Sequence, residues 1–445
     1  MAAEQSLSDR PGVAGRLATT ADDLIRASPP ARVTARAAAA VAAVAVASPV
    51  LLLARQRGPG ALDTIWAEDG SIFLAQARAL GAAGSILEPY GGYMNAVPRL
   101  AALVVAALPL SAADAGFAAV SVIVVTACSL FVYRASSSHL SSRWARVAVS
   151  APMVLGPLGG TEILANASNL HWYLLYAAFW AALWRPPSRW ESALAVVVVS
   201  LAVLSDPFAL ILWPLIGLRL AGRLGRVDAV AAAFAVVTVV QLGVVAGGRG
   251  QRQLGEPTNP FLVPFRYVVD VLGRGLVGDR FVGASGLEAR GAAVGGAVLI
   301  GLAGLAYARR EAVRARLPLL LALSAVSVAY FAAPVVLSGF STPRYGLAPA
   351  LLVIAAVVVV VEDADLRLAT RPAQVLAGGA LLLVAICWAV GLPSLNDREQ
   401  GPAWDDALEA AAAGCTGASE TRVPVTPRGW EVALPCPDVV DAAAR

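Results

Sequence analysis

The stretch RPPSRWESALAVVVVSLAVLSDPFALILWPLIGLRLAGRLGR (185–226) decides how this chain is read. Its apolar part, 191–220, lies between Arg185 and Arg189 on one side and Arg219, Arg223 and Arg226 on the other. Arginine collects on the cytoplasmic side of membrane helices, so both ends of the stretch belong to that side. The stretch must then turn back, and Ser205-Asp206-Pro207 is the place to turn. Each arm is a helix of about 14 residues, roughly 21 Å long and short of a full crossing. The tip is expected beneath the outer surface, in a protein-lined cavity.

The rest of the chain agrees with a membrane setting. Of 445 residues, 58% are hydrophobic and 14% charged, against about 25% charged in a soluble domain. A soluble globular enzyme is excluded. All 34 cationic side chains are arginine, and the net charge of +4 gives no support to nucleic-acid binding. Plain apolar spans occur at 36–54, 113–133, 146–158, 169–184, 228–246, 292–308, 317–337, 345–361 and 374–392. With the two arms of the hairpin they predict an all-α polytopic membrane protein of about 11 transmembrane helices. The segment 97–110, opened by Pro98 and closed by Pro109, is read as an outer juxtamembrane helix, since counting it as a crossing would put Arg134, Arg143 and Arg146 outside.

This topology places segments 1–36, 134–146, 185–189, 219–226, 309–316 and 362–372 in the cytoplasm, and they hold 19 of the 34 arginines. The expected organisation is a cytoplasmic tail (1–35), a transmembrane module (36–246) with a first outer loop at 55–112, an extracytoplasmic loop (247–291), further transmembrane helices (292–392) and an extracytoplasmic tail (393–445). Residues 1–32, with Arg10, Arg16, Arg26 and Arg32, read as a tail rather than a cleavable signal. The C-terminal tail offers an amphipathic helix from Pro402 to Ala413, then a turn-rich segment. Cys415 and Cys436 lie in that tail and are the pair placed to bond outside the cell, two free thiols being the alternative.

Acidic residues at the outer surface are few, and Glu68-Asp69 differs from the others by opening an amphipathic helix that runs through Ile72, Phe73, Gln76 and Leu80 to Gly81. An acidic pair at a helix start is also an ordinary cap. The loop 159–171 gathers Glu162, Asn166, Asn169 and His171 beside Trp172 and Tyr173, amides and aromatic faces of the kind a sugar site uses or a capped helix under an aromatic belt. Arg344, followed by Tyr345 at the mouth of a crossing, and Arg99 are candidate cations for a phosphate; for Arg344 a snorkelling anchor is the other reading. Asp206 at the hairpin tip is costly unless it faces a cavity, where it binds an acceptor or caps the helix after Pro207. Loop 247–291 carries an excess of arginine, read as a grip on anionic lipid headgroups or lipid phosphate, or as a loop long enough to be translocated regardless of charge. No HExxH, CxxC, GxSxG or phosphate-cradling glycine loop is present, and no metal ligand set is assigned.

Two stretches, Trp66-Ala67-Glu68-Asp69-Gly70-Ser71-Ile72-Phe73-Leu74-Ala75-Gln76-Ala77-Arg78 and Tyr90-Gly91-Gly92-Tyr93-Met94-Asn95-Ala96-Val97-Pro98-Arg99-Leu100, resemble the first outer loop of the GT-C superfamily of polytopic glycosyltransferases. In that family a first-loop aspartate with an aromatic four residues on and a small residue eight on is the catalytic base; Asp69, Phe73 and Ala77 match. The resemblance spans about 33–134 by motif and reaches 246 by helix layout. It implies a polyprenyl-phosphate sugar as donor, a cell-envelope glycan or glycolipid as acceptor and membrane lipids as surroundings. The family's acid after the aspartate is Gly70 here, with Glu68 before it, so no cofactor is certain and a divalent cation is left open. Asp69 with Glu68 would be catalytic, and Arg344, Tyr345, Arg99, Tyr93, Asn169, His171 and Asp206 would bind substrate. An O-antigen-type polymerase or ligase, which relies on outer arginines and a histidine, and a transporter or flippase are the competing expectations.

Overall fold

Apolar composition makes most of this chain helical, because a backbone in hydrocarbon must satisfy its own hydrogen bonds. The computed structural model describes residues 21–29, 34–157, 162–221, 228–249, 259–282, 288–362, 383, 385–392 and 397–444. Six of its helices are long and apolar enough to cross a membrane: Ala35–Ala54, Leu110–Ser138, Ala229–Ala246, Glu288–Ala308, Leu317–Ser338 and Pro343–Val361. Eleven spans were expected. The 146–158 candidate is broken at Ala151 into Arg143–Ser150 and Pro152–Leu155, the Leu170–Leu183 helix has 14 residues, and most of 374–392 lies outside the described residues.

Leu170–Leu183 is buried on every side and forms the axis of the bundle. Helices Ala113–Ala135, Arg189–Ser205 and Leu347–Val361 pack around it. A helix apolar all round needs such a sheath, and its Trp180 and Tyr176 rings meet edge to face with centroids 6.4 Å apart.

Ion pairs gather the arginine-rich segments at one end of the molecule. Arg134 meets Glu191 at 2.6 Å, Arg185 meets Asp22 at 3.1 Å, and Arg316 meets Glu362 at 3.7 Å. Arg219 pairs with Asp228 at 2.7 Å and donates to the Trp184 carbonyl at 2.6 Å. Both arms of 191–220 therefore start and finish together, and the chain turns at Asp206, whose carboxylate caps the 3-10 segment Pro207–Leu212 through the Phe208 N–H at 2.7 Å.

The opposite end holds the loop 55–112, expected from the sequence to be the first outer one. Helix Ala96–Ala106, 11 residues long, spans about 16 Å and is too short to cross. Both its ends stay at this end of the bundle: the Val97 N–H donates to Ser205 Oγ at 3.0 Å, and the Leu108 carbonyl accepts from Arg78 at 3.3 Å.

The tail departs from the all-helical, turn-rich expectation. Helix Trp404–Ala413 is followed by an antiparallel hairpin, β1 (Glu420–Val425) and β2 (Trp430–Pro435), and by helix Cys436–Ala443. Val423, Val425, Val432 and Leu434 alternate with exposed neighbours and face inward, the period-two pattern of a half-buried sheet. Cys415 and Cys436 are joined, with Cα atoms 5.6 Å apart. The hairpin continues into the loop 55–112: the Thr426 N–H donates to the Ile65 carbonyl at 2.9 Å, and the Ala67 N–H to the Thr426 carbonyl at 2.6 Å. A Cβ on Gly70 would stand 2.9 Å from Ile65 Cγ2 and 3.2 Å from Val425 Cγ1, so glycine beside Asp69 lets the hairpin close onto the loop.

Candidate functional site

Asp69 opens a π-helical segment, Asp69–Leu74, that leads into helix Ala75–Ile86. Such widened turns are frequent at functional sites because they re-aim a side chain. Its carboxylate is 0% exposed. Oδ2 accepts from the Ala167 N–H at 2.8 Å, and Oδ1 accepts from the Ser168 N–H at 2.8 Å and from the Ser168 hydroxyl. Burial pushes the group up to about 6, against the pull of those donors and of the Arg398 guanidinium. Desolvation wins, leaving a carboxylate near the value that suits a base at neutral pH.

The loop that holds Asp69 is fixed by its own amides. Asn169 Nδ2 donates to the Glu162 carbonyl at 2.9 Å and to Asn166 Oδ1 at 3.0 Å, and Asn166 Nδ2 donates to the same carbonyl of Glu162. From Ser168 the network passes to His171, whose Nδ1 lies 2.8 Å from the Ser168 carbonyl. His171 Nε2 faces Asp206 Oδ2 at 3.4 Å. From Glu162 it passes to Arg344, paired with Glu162 Oε2 at 3.1 Å and placed over the Tyr345 ring, 5.7 Å from its centroid. Tyr345 stands 5.5 Å from Trp172, so the cation lies beside a two-ring aromatic surface.

Five of the sequence candidates, Asp69, Asn169, His171, Asp206 and Arg344, thus fall into one connected polar cluster, with Tyr345 at its edge. Arg99 does not join them. It is 1% exposed, donates to the Met94 and Ser85 carbonyls and to Gln76 Oε1, and stacks over Phe73 at 5.3 Å. These contacts brace the first loop and set Arg99 apart from the cluster. Tyr93 pairs through its backbone with Tyr90, at 3.0 and 3.4 Å, and accepts from Asn95 at its carbonyl. Glu68 is partly exposed at the position before the π turn and caps nothing with its side chain.

Among the described arginines of 247–291, three lie beside acids. Arg249 lies 3.5 Å from Glu88, Arg266 2.7 Å from Glu288, and Arg274 2.5 Å from Asp270. Asp270 also accepts from Ser341 Oγ at 2.7 Å, which ties this region to the turn that presents Arg344. Among the described residues no group of three or more His, Cys, Asp or Glu side chains is arranged to hold a metal ion.

Sequence reasoning missed Ser168 and Arg398. Ser168 lies between two asparagines that read as a helix cap, and Arg398 lies in a tail 329 positions after Asp69. No pattern in one sequence joins them.

No family model, curated protein or solved structure matches this chain.

Proposed function

We propose that this protein is an integral membrane glycosyltransferase of the GT-C kind, which moves a sugar from a polyprenyl-phosphate donor to a cell-envelope glycan or glycolipid on the extracytoplasmic face. One observation carries the reading: a first-loop carboxylate, Asp69, shares a single polar network with His171, Asp206, Glu162 and Arg344, at the end of the bundle opposite the arginine-rich segments. In the proposed reaction an acceptor hydroxyl gives its proton to Asp69 Oδ2 as its oxygen bonds to the anomeric carbon. The bond from that carbon to the phosphate oxygen breaks, and the lipid phosphate leaves with the electron pair. Arg344 meets the growing charge with its forked donors, replacing Glu162 with the phosphate. Inversion at the anomeric carbon follows from a single displacement. Oδ2 carries one accepted bond and keeps one lone pair. Asp69 is enclosed, so acceptor entry requires the 162–169 loop to yield.

The polymerase or ligase reading draws on one observation of its own, the His171–Asp206 contact at 3.4 Å close to Arg344, which would make histidine the base. Purified protein with a radiolabelled polyprenyl-phosphate sugar and an envelope lipid extract tests the choice. Transfer lost in Asp69→Asn supports the first reading. Transfer lost in His171→Ala and Arg344→Ala but kept in Asp69→Asn supports the second.

A further inference from the structure

We propose that Arg398 is the positioning residue of this site, a strut from the C-terminal tail that sets the spacing of the two loops enclosing Asp69. The proposal rests on the reading of Asp69 as the base. Arg398 is 2% exposed. Its Nη1 donates to the Thr64 carbonyl and to Thr64 Oγ1, both at 2.7 Å, and its Nη2 donates to the Ala165 carbonyl at 3.2 Å. Thr64 belongs to the first loop ahead of Asp69, and Ala165 to the loop whose Ala167 and Ser168 amides hold the carboxylate. One planar group therefore spans both walls of the enclosure. A planar fork with donors on separate nitrogens suits this span, whereas the donors of an ammonium all leave from a single atom.

Two features show that the strut serves the enclosure rather than tail attachment. The tail is already bound to the first loop without it, by the Trp404 N–H to Asp63 and by the backbone pairing of Thr426 with Ile65 and Ala67. The residue it reaches across to is also strained: Ala165 has φ of 51°, a left-handed conformation that costs alanine energy and persists where neighbours hold it. The Arg398 plane stacks over Trp66, 5.5 Å from its ring centroid, three residues before Asp69. The guanidinium makes no hydrogen bond to Asp69; besides the pull of its charge on that carboxylate, it acts on the reaction through the two loops.

Hydrogen exchange of the full-length protein in detergent tests this, with Arg398→Lys, Arg398→Met and, as a control in the same tail, Arg422→Ala. Arg422 is an exposed side chain paired with Glu431 at 3.4 Å. The expected result is about tenfold faster exchange at the Ala167 and Ser168 amides in both Arg398 variants, with the 420–435 hairpin as protected as in the unaltered protein. Arg422→Ala leaves both regions unchanged. In the transfer assay Arg398→Lys lowers kcat about tenfold while the KM for donor stays put, the pattern of lost alignment. Unchanged exchange at Ala167 and Ser168 in both variants overturns the strut. So does deprotection of the hairpin to the same degree, which would make Arg398 a folding residue of the tail. Faster exchange with unaltered kcat overturns its link to the reaction. If the unaltered protein transfers no sugar, the glycosyltransferase reading fails, and the exchange result still decides the strut.

Discussion

The peptide N–H of Ser168 meets the carboxylate of Asp69 at 2.8 Å across 99 residues of chain, and the Ser168 hydroxyl donates to the same oxygen. Two donors from one residue hold an acid that burial alone would drive toward its neutral form.

Ser168→Ala removes one of those donors and leaves the two peptide N–H groups. Asp69, already raised to about 6, then rises further. As a base it works deprotonated, so the acid limb of the transfer rate, expected near pH 6 in the unaltered protein, moves to higher pH in the variant. The lost hydrogen bond to a charged group costs about 1.5–3 kcal/mol, read as a lower midpoint of thermal unfolding.

The same shift sets a stability slope. Asp69 has an ordinary value of 3.8 and a folded value of about 6, so between these limits the folded chain binds more protons than the unfolded one. Its contribution to stability is present at the acid end and is lost as pH rises through the folded value. In thermal unfolding between pH 4 and 6, Asp69→Asn is expected to flatten the decline relative to the unaltered protein.

Glu162 occupies Arg344 at 3.1 Å. A donor phosphate has to displace that carboxylate, so Glu162→Gln is expected to tighten donor binding and Arg344→Gln to weaken it, each by about tenfold. Equilibrium binding of a labelled polyprenyl-phosphate sugar to detergent-purified variants reads both signs.

The Cys415–Cys436 bond closes a loop of 21 residues. Replacing both cysteines by serine is expected to remove about 3 kcal/mol from the stability of the tail. Because the tail carries Arg398 and the Thr426 pairing, hydrogen exchange should quicken in the 420–435 hairpin first and at Ala67 with it.

Ala165 sits at φ 51°. Glycine adopts that conformation without the steric penalty, so Ala165→Gly is expected to leave folding intact and to raise stability by about 1 kcal/mol, measured by denaturant unfolding.

Much of this arrangement is legible in the sequence wherever a pattern is local or set by the membrane. The arginine flanks of 191–220 suffice to place both arms of the hairpin at one end, and Arg219 and Glu191 lie there with Trp184 and Arg134. Ala96–Ala106 is short and keeps its contacts at the site end. What is not legible depends on tertiary partners. Arg99 and Arg344 look alike in the sequence as outer cations, and only packing separates the one that donates to backbone carbonyls from the one paired with an acid. The hairpin 420–435 alternates as paired strands do, but Pro424, Pro427 and Pro435 make it read as turn, since proline lacks the N–H a strand donates. Arg398 has no local signal at all.

The central claim is that Asp69 takes the acceptor proton. It is tested most directly by Asp69→Asn in purified protein, with donor binding and sugar transfer from a radiolabelled polyprenyl-phosphate sugar measured on the same preparation. The account predicts donor affinity within about twofold of the unaltered protein and a turnover reduced by at least about a hundredfold. Transfer at the unaltered rate in that variant would contradict it.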